Sequence, residues 1–81
     1  MIKEGTMFSL TANYDESTEY KYVVVERIED IACGRGGWLC VELEALSEHP
    51  DSISPFDCWR VTDKYLETQI QRGVIKIIES L

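Results

Sequence analysis

The sequence predicts a mainly β domain of the α+β class, either a small five-stranded SH3-like barrel or a strongly bent sheet, with one short helix before the last strand. Three observations carry this expectation. Apolar residues recur at every second position in several segments, which is the period of a half-buried strand. β-Branched and aromatic residues crowd the stretch from Tyr20 to Ile28. The helical signal is a capped segment beginning at Thr62, just ahead of a final β-branched run. The length of 81 residues and a composition that is 44% hydrophobic and 28% charged fit a single folded domain spanning 1–81.

The first strand is expected over residues 6–13, with Phe8, Leu10 and Ala12 on one side and Ser9, Thr11 and Asn13 on the other. The polar run Tyr14-Asp15-Glu16-Ser17-Thr18-Glu19 then reads as a loop. Tyr20 to Ile28 reads as the second strand. Its Val23-Val24-Val25 run is apolar on both faces, which fits either a strand covered on both sides or a bulge. Cys33-Gly34-Arg35-Gly36-Gly37 reads as a connection that needs positive φ. Trp38 to Leu46 reads as a third strand, with Leu39, Val41, Leu43 and Ala45 inward and Cys40, Glu42 and Glu44 outward.

A loop over residues 47–52, bracketed by Pro50 and Pro55, leads to a short fourth strand from Phe56 to Val61, with Trp59 and Val61 on one side. Thr62 then caps a helix whose first turn carries Asp63, whose inner face carries Leu66 and Ile70, and which ends at Gly73. Val74 to Ile78 closes the order β-β-β-β-α-β. Ala12-Asn13-Tyr14-Asp15 and Gly37-Trp38 are similar to two motifs of peptide-binding SH3 domains. Leu39 stands where those domains have a second tryptophan, and their Pro-Ser-Asn-Tyr element is absent, so no binding residue is carried over.

Fifteen Asp and Glu against eight Lys and Arg give a net charge of -7, with the basic residues scattered from Lys3 to Lys76. That balance disfavours direct nucleic-acid binding and docking on an anionic membrane surface, since both depend on clustered cations. It suits a basic protein partner or serves solubility alone. No stretch is long and apolar enough for a membrane helix, and the opening residues lack the pattern of a secretory signal, so a cytoplasmic protein with reduced thiols is expected.

Cys33, Cys40, His49 and Cys58 occur singly on separate segments, without the close ligand pairs of a zinc knuckle, so no metal and no cofactor are expected. A cysteine nucleophile would need His49, which sits in the acidic stretch Glu48-His49-Pro50-Asp51. The glycine-rich run lacks phosphate-loop spacing. The tyrosines and tryptophans near loops, Tyr14, Tyr20, Tyr22, Trp38 and Trp59, remain as candidate anchors for a protein partner.

These residues lead to a non-enzymatic protein-interaction module that meets another protein, one of basic character, through an acidic strand face at Glu42 and Glu44 and loop aromatics at Tyr14 and Trp38. Two alternatives are an acidic phosphate-mimic inhibitor of a nucleic-acid-binding enzyme and a small thiol-dependent enzyme or enzyme subunit.

Overall fold

The computed structural model describes residues 2–12, 15–32, 35–48 and 51–79. Five antiparallel strands form one sheet in the order β4-β3-β2-β1-β5, where β1 is Met7–Ala12, β2 Asp15–Ala32, β3 Arg35–Glu42, β4 Cys58–Thr62 and β5 Ile75–Glu79. Two α-helices, α1 (Leu43–Glu48) and α2 (Asp63–Gln71), and a short 3₁₀ turn at Pro55–Asp57 complete the described elements. The chain is therefore mainly β, as the alternation implies. Among the described residues the sheet does not close into a barrel, because β4 and β5 lie at its opposite edges.

The 18-residue β2 organises the sheet. Its early part pairs with β1 and its later part with β3, and the two pairings overlap at Tyr22 and Val23. A register shift between Val24 and Glu26 marks a bulge, which decides between the two sequence readings of the valine run. Val24 is buried, whereas Val25 is exposed. The loop expected over 14–19 is strand from Asp15 onward, with Glu19 opposite Thr11; Tyr14 lies outside the described residues. Polar composition suggested a loop there, but pairing to β1 supplies the backbone hydrogen bonds that make a polar strand stable.

The third strand is also corrected. It ends at Glu42, and Leu43–Glu48 turns into α1. Leucine, glutamate and alanine are strong helix formers, so the segment satisfies a helix as well as it does an alternating pattern. The facing of β3 is reversed too. Cys40 is fully buried in the main core, while Leu39 is on the other side with Val41. A strand with apolar residues on both faces allows either facing, and a thiol packs as a small apolar group. Val41 and Ala45 are nevertheless buried, outside the main cluster.

That main cluster comprises Phe8, Val24, Cys40, Val61, Leu66 and Ile75, with Leu10, Tyr22, Trp38, Trp59 and Ile70 packed against it. Val61 and Trp59 share this face, as the sequence implied. Leu66 enters from α2, whose start matches expectation: the Thr62 side chain accepts a hydrogen bond from the Tyr65 N–H at 3.2 Å. At the other end the Gly73 N–H donates to the Ile70 carbonyl and the Val74 N–H to the Gln69 carbonyl, with Gly73 at φ +77°. This paired cap reverses the chain into β5. Gly36 and Gly37, by contrast, lie within β3 and do not have positive φ. A Cβ on Gly37 would collide with the Val61 carbonyl, so close approach of β4 accounts for this glycine.

Candidate protein-contact surface

Glu42 ends β3 directly opposite Tyr22, and the pairing places both side chains on the face that carries α2. Burial raises the Tyr22 pKa first, and the neighbouring Glu42 carboxylate raises it further. Tyr22 belongs to a row of rings that runs outward from the core. Its ring centroid lies 5.5 Å from that of Phe8 and 5.4 Å from that of Trp59, and Trp59 meets Tyr65 edge-on at 5.6 Å. The outermost ring, Tyr65, is 41% exposed on α2.

Glu42 also lines a depression of about 320 Å³, together with Glu19, Tyr20, Lys21, Leu43 and Glu44. Tyr20 is 40% exposed. Three elements meet here: β2 brings Glu19 and Tyr20, β3 ends on Glu42, and the first turn of α1 presents Glu44. Glu42 and Glu44 are thus brought together, although not by sharing a strand face. Their neighbour Glu19 lies in a stretch whose polar composition predicts a loop, and it reaches this depression as part of β2. Tyr65 was also missed; the available signal is an aromatic residue off the inner, Leu66–Ile70 face of an amphipathic helix.

Trp38 is placed elsewhere. It is half-buried in the middle of β3, and the Arg27 guanidinium lies 5.1 Å from its ring centroid. Arg27 in turn donates to both carboxylate oxygens of Asp63, at 2.7 and 2.9 Å, which ties β2 to the first turn of α2. The Asp63 hydrogen bond is the main reason that the Arg27 pKa is raised. Trp38, Arg27 and Asp63 line a second and larger cleft of about 580 Å³, together with Ile2, Leu66, Glu67, Ile70, Gln71 and Ile77.

Of the two described thiols, Cys40 is closed off by burial. Burial pushes the Cys40 thiol up to about 12, so it remains protonated at neutral pH. Cys58 is half-buried, with its sulfur 3.7 Å from the Ser54 carbonyl oxygen. Cys33 and His49 lie outside the described residues. Among the described residues, no group of three potential ligands is placed to hold a metal ion, and no helix is long and apolar enough to cross a membrane. Comparison with known proteins gives no matching family model, no matching curated protein and no matching solved structure.

Proposed function

We propose that this chain is a protein-interaction module that receives a basic side chain of a partner protein at the depression bounded by Glu19, Glu42 and Glu44. The observation that carries this reading is the convergence of these three carboxylates, from three elements, around the exposed ring of Tyr20, where they outnumber the single cation of the lining, Lys21. Carboxylates attract an arginine or lysine, and a tyrosine face adds a cation–π contact. Beyond Glu42, the Tyr22–Trp59–Tyr65 row offers rigid apolar area at low entropic cost. The net charge of -7 would speed the encounter with a basic partner.

The phosphate-mimic alternative asks for carboxylates strung along a groove, whereas these gather around one small depression and suit a single basic group. Burial of Cys40 argues against that residue as the nucleophile of a thiol-dependent activity. We also read the sheet as strongly bent in the SH3-like manner, supported by a bulged β2 that serves both halves.

Titration of isotopically labelled protein with an oligo-arginine peptide at low salt tests the reading. The amides of Glu19, Tyr20, Glu42 and Glu44 and the Trp59 indole should shift together, and a Glu42→Lys, Glu44→Lys double variant should lose most of the response. Shifts spread evenly over all acidic residues, or unchanged in the double variant, would contradict it.

A further inference from the structure

The larger cleft takes no part in the acidic contact, and its chemistry differs. Its walls are the side chains of Leu66 and Ile70 from α2, Trp38 from β3, Ile77 from β5 and Ile2 from the opening segment. Ile2 is brought over the sheet because that segment is pinned: the Gly5 N–H donates to the Val24 carbonyl, and the Val24 N–H donates to the Thr6 carbonyl, both at 2.8 Å. Ile77 at the mouth is 42% exposed, and neighbouring Ile78 is 50% exposed. Ile77 points to the sheet face that bears the cleft, whereas Ile78, next along the strand, points to the opposite face, so Ile77 is the apolar residue that β5 leaves open at this site.

The charge around this cleft is also uneven. Arg27 spends its guanidinium on Asp63 and on the Trp38 ring, with Glu29 at 3.6 Å, so this cation and the Asp63 carboxylate neutralise each other. Glu67, exposed one turn further along α2, leaves the rim negative. A volume of about 580 Å³ lies within the range of roughly 300–1,000 Å³ typical of binding pockets and exceeds that of any one side chain.

We infer that this cleft is the anchor site for a partner segment that inserts a bulky apolar side chain between α2 and β5 and places a lysine or arginine beside Glu67. The inference rests on the reading of the chain as an interaction module for basic partners, and it adds where affinity comes from. The acidic depression steers and holds a cation, while the cleft buries the apolar anchor. Burial of one such side chain is enough to dominate a short segment's binding.

Selection of binders from a library of short random peptides on the wild-type protein tests this. Recovered peptides should share a bulky apolar residue flanked by lysine or arginine, and should shift the amides of Ile70, Gln71 and Ile77. Ile77→Glu should weaken them at least about tenfold, the effect expected for a lost anchor. Because Ile77→Glu could disturb β5, Glu67→Lys on the exposed rim provides an independent check: the flanking preference should turn from basic to acidic. Basic peptides that bind only at Glu19, Glu42 and Glu44, and ignore both variants, would overturn the cleft inference and leave the acidic reading standing. Peptides that occupy the cleft but are indifferent to reversal of Glu42 and Glu44 would support the cleft and overturn the acidic depression. A library that yields no binder, or only acidic ones, would overturn the cleft inference.

Discussion

The two faces of the sheet are covered by helices of unequal reach. On one face α2, nine residues long with proper caps at both ends, lays Leu66 and Ile70 over Phe8, Val24, Cys40 and Val61. On the other, the six-residue α1 accompanies the burial of Val41 and Ala45, while Val25, Arg60 and Lys76 stay exposed. A capped helix with a two-turn apolar stripe creates a core. A short one seals a patch. Both candidate contact regions also lie at the margins of these covers: the cleft along α2, and the acidic depression where β3 passes into α1.

The largest expected effect follows from this inequality. Leu66→Asp places an unpaired charge in the main core and should remove about 3–5 kcal/mol, unfolding much of the population, whereas Ala45→Asp on the buried side of α1 should cost about half as much. Thermal midpoints compare the two. Similar losses would show that α1 contributes as much as α2.

A smaller contrast concerns the buried thiol on the α2 face. The Cys40 pKa is raised from an ordinary 9.0 to about 12, so the folded state keeps the proton that the unfolded state releases. The stability linked to this group is complete below pH 9 and is lost as pH rises through about 12, at up to about 1.4 kcal/mol per pH unit. Tyr22, raised in the same sense, adds to the alkaline loss. Denaturant unfolding across this range should show a shallower decline for Cys40→Ala than for the wild type, although the variant starts from lower stability because of its cavity. Parallel curves would mean that the thiol is not shielded.

The smallest effect belongs to the end of α2. Gly73→Ala forces an alanine into φ +77°, with no atom nearby to clash, and should cost about 1–2 kcal/mol from backbone conformation alone. A neutral result in equilibrium unfolding would indicate that the turn into β5 adopts another geometry.

These contrasts show which parts of the fold could be read from residues. Local chemistry was legible: Thr62 as cap, Leu66 and Ile70 as the inner stripe, Gly73 as terminator and Val61 with Trp59 on one side of β4. Facing and length were not. The β3 pattern is apolar on alternate positions either way, so only the neighbours decide that Cys40 points to the core, and LEALSE satisfies both a strand's alternation and a helix's propensities. Likewise Asp15–Glu19 looks like solvent-facing loop until β1 is available to pair with it. The candidate acidic surface was legible in part. The sequence singles out Glu42 and Glu44, which line one depression with Glu19 and Tyr20 once the strands pair, whereas Trp38 lines the other cleft.

Stopped-flow association of the oligo-arginine peptide, followed by tryptophan fluorescence, tests the central claim most directly, because Trp59 stands in the ring row beside Tyr22 and Glu42. For the wild type the association rate should fall steeply as salt rises toward about 0.15 M, where the Debye length is about 8 Å. For Glu42→Lys combined with Glu44→Lys, at unchanged thermal stability, the low-salt rate should be at least about tenfold lower and nearly independent of salt. Equal rates and equal salt dependence in the two proteins would contradict the assignment of the basic-partner contact to this surface.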